Sequence, residues 1–223
     1  MQAAIFDMDG TLLDTLNTIA YFANKALNKF GFLAAPVQNY RQYAGNGAIK
    51  LIERAMSYTG NYTKEQFNEV YSYYVKIYDE NPLYLTAPYV NILEILRVLK
   101  KEGCKVGILS NKPHAATLSI AEKLIGKNLF DLCIGARDNY PLKPDPTVAL
   151  EMVKELGADK EKSFFVGDTY VDIATGKAAG LYSIGVLWGF RDEKELLEAG
   201  ADIIISDARE IVKIKDRLKN DIF

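Results

Sequence analysis

The stretch Ala3-Ala4-Ile5-Phe6-Asp7-Met8-Asp9-Gly10-Thr11-Leu12-Leu13-Asp14 begins with four apolar residues and then sets two carboxylates one residue apart. A short apolar run bounded by a turn signal reads as a strand buried on both faces, the kind that parallel sheets contain. Comparable runs follow at Lys105 to Leu109, Leu132 to Ile134, Ser163 to Val166, Tyr182 to Val186 and Ile203 to Ile205. Amphipathic segments alternate with them at Val90 to Lys101, Ala115 to Ile125, Thr147 to Leu156 and Val171 to Ala179. The alternation predicts βαβ units, hence an α/β fold whose parallel sheet is covered by helices on both faces.

One interval breaks the rhythm. Between about Thr15 and Leu85 there is no strand pattern, only helical periodicity at Leu16 to Phe30, Ala48 to Tyr58 and Lys64 to Tyr78. Gly31, Pro36, Gly45-Asn46-Gly47 and Gly60-Asn61 punctuate it. Residues 15–85 are therefore expected to form an inserted helical domain, and residues 1–14 with 86–223 the α/β core. Nine of the chain's fourteen tyrosines lie between Tyr21 and Tyr78, and most are expected to serve packing rather than ligand contact.

Composition narrows the partners. A formal net charge of −2 argues against a nucleic-acid or membrane-surface binder. No stretch reaches the ~18 apolar residues of a membrane span and no leader pattern precedes the first strand, so a cytoplasmic location is expected. The two cysteines, Cys104 and Cys133, lie in or beside strand-like segments and read as buried free thiols. Nothing in the chain decides between a monomer and a homodimer.

Ligands of open α/β sheets bind beyond the carboxyl ends of the strands. Asp7 and Asp9 follow the first strand, Ser110-Asn111-Lys112 the second, and Gly167-Asp168-Thr169 with Asp172 the Ser163 strand, while Lys143-Pro144-Asp145-Pro146 precedes the helix from Thr147. Asp7, Asp9, Asp168 and Asp172 would then share one cleft, where like charges raise one another's pKa unless compensated. Mg²⁺, a hard cation with oxygen ligands, is the natural compensation, and it accepts a substrate phosphate beside one or two carboxylates. Carboxylates with one lysine and one serine suit phosphoryl transfer: one Asp as covalent nucleophile, a second exchanging protons, Ser110 on a phosphoryl oxygen and Lys143 balancing charge. Asp7 and Asp9 would face one phosphorus if the backbone stayed extended. A small phosphorylated metabolite is the expected partner.

Asp7-x-Asp9-Gly10-Thr11-Leu12-x-Asp14, Ser110-Asn111-Lys112, Lys143-Pro144-x-Pro146 and Gly167-Asp168-x-x-x-Asp172 resemble, in order, the four motifs of the haloacid dehalogenase superfamily of aspartate-nucleophile phosphatases. The helical insertion after the first motif is similar to the cap of its phosphoglycolate phosphatase subclass, and Gly45-Asn46-Gly47-Ala48 with Leu51-Ile52-Glu53-Arg54-Ala55 is similar to that cap's substrate-facing segment. The resemblance implies a Rossmann-like core with an inserted helical cap. It implies Asp7 as nucleophile and Asp9 as general acid and base. Mg²⁺ would sit on the Asp7 side chain, the Asp9 carbonyl and Asp168, with Asp172 at or behind them. Ser110 and Asn111 would bind the phosphoryl group, and Lys143 would bridge it to Asp7. Thr11 and the Gly45-Asn46-Gly47 loop complete the substrate-binding candidates, with 2-phosphoglycolate the first substrate implied.

The chain departs from its relatives at two places. Leu85-Thr86-Ala87-Pro88-Tyr89-Val90 stands where many have Tyr-Pro-Gly-Val, and Thr18 stands where many have an acid. Arg41, Lys50 and Arg54 could meet a substrate carboxylate or be solvated, and His114, the chain's one histidine, is expected near a helix start. A phosphosugar mutase on this scaffold would need a cap histidine, which residues 15–85 lack; a dehalogenase would lack Asp9; pyrophosphatase activity stays open. A non-catalytic binding module would be expected to have lost Asp7, Asp9, Lys143 or Asp168, and all four are present.

Overall fold

The computed structural model describes residues 1–219. In chain order the elements begin with β1 (Ala3–Phe6), β2 (Leu13–Asp14) and α1 (Leu16–Lys29), then α2 (Tyr40–Tyr43), α3 (Ala48–Thr59), α4 (Lys64–Glu80) and β3 (Ala87–Pro88). The chain continues through α5 (Ile92–Lys101), β4 (Lys105–Pro113), α6 (His114–Leu124), β5 (Leu132–Ala136) and α7 (Thr147–Glu155). It ends with β6 (Phe164–Gly167), α8 (Tyr170–Ala179), β7 (Tyr182–Val186), α9 (Glu193–Glu198), β8 (Ile203–Ile205) and α10 (Glu210–Lys219).

Six strands form one parallel sheet in the order β5-β4-β1-β6-β7-β8. The α/β reading of the sequence is thereby borne out. Every residue of β1 is buried, and its side chains alternate. Ala4 and Phe6 join a core with Ile92, Leu96, Ile211 and Ile214 from α5 and α10, whereas Ile5 joins a second one with Val148, Ala149 and Met152 of α7. β1 is central because the chain winds outward from it in both directions. The order of winding reverses between β1 and β6, and a crevice opens there at the carboxyl edge.

The interval without a strand pattern folds as α1 to α4. α4 starts on a reciprocal cap, Thr63 accepting from the Gln66 N–H and Gln66 accepting from the Thr63 N–H, as Thr-x-x-Gln allows. The first core runs through Met8, Leu12 and Leu16 into Phe22, Leu51, Ile52 and Tyr74, so the helices pack on the carboxyl edge of the sheet without a break. Two strands connecting them to the sheet have no sequence signal: β2 and β3 pair antiparallel, Leu13 with Pro88 and Asp14 with Ala87. Two residues per strand is too short for periodicity to register.

The two departures from the family pattern meet at this ribbon. The buried Thr18 hydroxyl donates to the Tyr84 carbonyl at 2.6 Å and shares a hydrogen bond with the Thr86 hydroxyl at 2.9 Å. Leu85 between them is left-handed, with φ +55°. Thr18 thus fastens α1 to the return strand. Cys104 and Cys133 are buried free thiols, as read, with burial pushing them up to about 11 and about 12.

Candidate active site

β1 ends at Phe6, and Asp7 and Asp9 lie just beyond it, both on the wall of one cavity. The Asp7 N–H donates to the Val166 carbonyl of β6 at 2.9 Å, which anchors it at the crevice. β4 runs four residues further than its apolar pattern suggests, and its register with β5 shifts between Leu109 and Pro113. A bulge re-aims side chains. Ser110, Asn111 and Lys112, which a regular strand would alternate, all face one cavity.

The cavity lies between the carboxyl edge of the sheet and the helices packed over it. Its floor comes from Asp7, Asp9, Ser110, Lys112, Lys143 and Asp172, and its roof from Gly45, Gly47, Leu51, Tyr74 and Tyr78. Lys143 is the electrostatic centre. Its ammonium contacts Asp7 Oδ1 and Asp172 Oδ1, each at 2.6 Å, with its own side chain 3% exposed. Asp172 also accepts at Oδ2 from the Thr169 N–H (3.0 Å) and hydroxyl (2.7 Å), so one carboxylate caps α8 and pairs the lysine. The Lys143-Pro144 peptide is cis.

Asp168 is fully buried behind the cavity wall. Its carboxylate accepts from the Thr11 hydroxyl at 3.0 Å and the Phe190 N–H at 2.8 Å. Oxygens of Asp7, Asp168 and Asp172 all lie within 4.8 Å of one another. Gly10 and Gly189 make room for this: a Cβ on Gly10, where φ is +90°, would lie 2.2 Å from Asp168 Oδ2, and one on Gly189 2.3 Å from Asp168 Cβ.

Burial raises the Asp7 carboxyl well above the ordinary carboxylate range; Lys143 opposes the rise, and Asp172 and Asp168 add to it. Burial, then Asp172, pushes Asp168 up to about 7 against the donors from Phe190 and Thr11. Burial would lower the Lys143 ammonium, but Asp172 and Asp7 outweigh it and hold it above its usual value. Three carboxylates against one ammonium leave uncompensated negative charge, all of it on hard oxygen donors. The cluster fits a hard divalent cation.

Several expected site residues lie away from the cavity or are engaged elsewhere. Thr11 is fully buried and not on the cavity wall, because its hydroxyl is turned to Asp168. The Asn111 amide reaches the cavity, but it donates to the Gly45 carbonyl (3.1 Å) and the Lys143 carbonyl (3.0 Å) and accepts from the Lys143 N–H (2.9 Å). It therefore joins the roof loop to the lysine loop. Asn46 is drawn outward by Arg54 and Tyr170, at 2.9 Å each. Arg54 also holds the Gln42 and Tyr43 carbonyls, Lys50 pairs with Glu53, and Arg41 donates to the Gly189 carbonyl at 2.8 Å. His114 opens α6, where Nδ1 accepts from the Gly135 N–H at 3.1 Å.

The segment Trp188-Gly189-Phe190-Arg191 is absent from the motif reading. Trp188 donates to the Thr11 carbonyl at 3.0 Å, and the buried Arg191 donates to the Ala44 carbonyl at 2.9 Å, so the segment braces Asp168 and grips the roof at once. It follows β7. Extending the search for residues beyond each strand to that one would have found it. Lys112, Tyr74 and Tyr78 are likewise on the wall without a role assigned from sequence.

A haloacid dehalogenase-like hydrolase family model matches residues 4–186. The chain belongs to the haloacid dehalogenase-like hydrolases. It is 34% identical to a phosphoglycolate phosphatase of Aquifex aeolicus over 97% of both chains, and 30% identical to one of Haemophilus influenzae over 94% of this chain and 96% of that one. A solved structure from Lactobacillus delbrueckii, a candidate phosphoglycolate phosphatase 29% identical in sequence, superposes with a TM-score of 0.89 over 97% of both chains. Among the described residues of this hydrolase, no helix is long and apolar enough to cross a membrane.

Proposed function

We propose that this hydrolase cleaves small phosphate monoesters, 2-phosphoglycolate first among them, through an aspartyl-phosphate on Asp7. The observation that carries this reading is the Asp7–Lys143–Asp172 array on the floor of the cavity, with Asp9 two residues beyond the nucleophile. The names of the relatives support the substrate. An Asp7 carboxylate oxygen attacks phosphorus in line, the P–O ester bond breaks, and the leaving oxygen takes its proton from Asp9. Water then gives a proton to Asp9 and attacks the phosphoryl group, which restores Asp7 and releases phosphate. Ser110 donates to a phosphoryl oxygen, and Lys143 offsets charge on both partners.

Asp7, Asp168 and Asp172, with the Asp9 carbonyl, would hold Mg²⁺, which when bound neutralises phosphoryl charge. Residues 15–85 act as a cap that excludes water from the cavity, moving on the β2–β3 ribbon and held closed by Arg41 and Arg191. No imidazole lines the cavity among the described residues, so the cap histidine expected of a mutase is not found there.

The test is phosphate release from a panel of esters and pyrophosphate. We expect Mg²⁺-dependent turnover with the highest kcat/KM on 2-phosphoglycolate; a higher kcat/KM on pyrophosphate would make the protein a pyrophosphatase instead. A second measurement concerns the metal alone. In the metal-free protein Asp168 titrates near 7, so the folded chain keeps a proton that the unfolded chain, titrating near ~4, releases. Its stabilising contribution is therefore largest below ~4 and declines as pH rises to about 7. Mg²⁺ competes with that proton. The melting temperature should rise on adding Mg²⁺ by about 5–10 °C at pH 7.5 and far less at pH 5, and an increment independent of pH would place the ion elsewhere.

A further inference from the structure

The cations on the cavity wall, among the described residues, are Lys112 and Lys143, and Lys143 is committed to Asp7 and Asp172. Arg41, Lys50 and Arg54 hold backbone or surface partners instead. Lys112 emerges from the bulged end of β4. Its ammonium is 3.0 Å from Asp9 Oδ2, donates to the Tyr78 hydroxyl at 3.0 Å and lies 4.4 Å from the centroid of that ring. Its side chain is 9% exposed. An ammonium has three N–H donors, and Asp9 and Tyr78 leave one for the cavity.

The Tyr78 oxygen accepts from Lys112, which frees its own O–H to donate. Tyr74 stands beside it, ring centroids 5.7 Å apart, and also faces the cavity. Burial raises both phenols above their usual range, so they remain donors at neutral pH. The other charged roof residue, Asp79, is exposed; burial raises its carboxyl and the Lys112 ammonium opposes that rise. Beside the proton-transfer carboxylate there is therefore a cation with two hydroxyl donors.

The chemistry of the ester supplies the rest. In an ester of a 2-hydroxy acid the carboxylate is two bonds from the oxygen that leaves phosphorus, so its charge must lie next to the group that protonates that oxygen. If Asp9 is that group, Lys112 is where the charge arrives. Resting on the phosphatase reading above, we infer that Lys112, with Tyr78 and Tyr74, forms the subsite for a carboxylate carried on the leaving group, and sets the preference for 2-phospho acids over neutral esters. Tyr78 comes from α4 of the cap and Lys112 from the core, so the subsite is complete only with the roof in place.

The test compares 2-phosphoglycolate with 2-hydroxyethyl phosphate, in which a hydroxymethyl group replaces the carboxylate. The parent should favour the acid in kcat/KM. In Lys112→Met the ratio of the two kcat/KM values should fall about 10²-fold, the size of a lost charged hydrogen bond, with the loss on the acid appearing mainly in KM. Lys112→Arg should keep most of the preference. Should Lys112→Met fail to fold, Tyr78→Phe carries the same test with a fall of about threefold to tenfold. A ratio unchanged in these variants, or no preference in the parent, overturns the subsite and leaves the phosphatase standing. Release of phosphate from neither ester overturns both.

Discussion

Asp7→Asn is expected to lower kcat by about 10⁴-fold or more while giving a protein that melts higher than its parent in the absence of metal. The two halves have one cause. The environment of Asp7 disfavours its ionised form, burial outweighing the pairing with Lys143. An amide of the same shape removes a buried charge from a cluster that holds three carboxylates against one ammonium, and the Lys143 ammonium still has Asp172 at 2.6 Å. The amide cannot form the aspartyl-phosphate, so no second pathway through Asp7 remains. The measurements are phosphate release at saturating Mg²⁺ and thermal melting in a chelator at pH 7.5. Retention of even a tenth of the activity would remove the nucleophile assignment, and a lower melting temperature would mean that the Asp7–Lys143 pair outweighs the repulsion.

Lys143→Met should move stability in the opposite direction. The ammonium is the cation touching both Asp7 and Asp172, and methionine fills its volume without its charge. Removing one partner of a buried pair costs about 3–5 kcal/mol, because the remaining charges stay buried and unpaired. Mg²⁺ should restore part of this, since the ion meets the same carboxylates. Activity should fall about 10²-fold to 10³-fold, as when a single preorganised charge on the transition state is removed. Equal melting temperatures for parent and variant without metal would show that the ammonium does not compensate the cluster. Measured together, the two variants separate charge balance from mere packing, which would predict a loss in both.

The core elements were readable because their signals are local. A four-residue apolar strand such as Ala3–Phe6 and helices with apolar spacing such as Ile92–Lys101 carry their burial in their own residue order. The candidate carboxylates were readable for a topological reason: residues after parallel strands collect at one edge wherever the strands fall in the sheet. That reasoning brought Asp7, Ser110 and Asp168 to one place. It did not reach the ribbon of β2 and β3, which is too short to have a period, nor the segment after β7, where Trp188 and Arg191 act through side chains on carbonyls that folding brings from Thr11 and Ala44.

The order of residues along the chain was enough to establish the α/β class, the helical insertion after β1 and the acids at the sheet edge, since hydrophobic period and strand-end position are properties of neighbouring residues. Which of those side chains face the cavity was decided only by tertiary structure. Thr11 turns to Asp168, Asn111 ties Gly45 to the Lys143 loop, and Lys112 faces the cavity through a bulge in β4. Each choice depends on a hydrogen-bond partner tens to more than a hundred residues away, and only folding brings such partners within 3 Å or so.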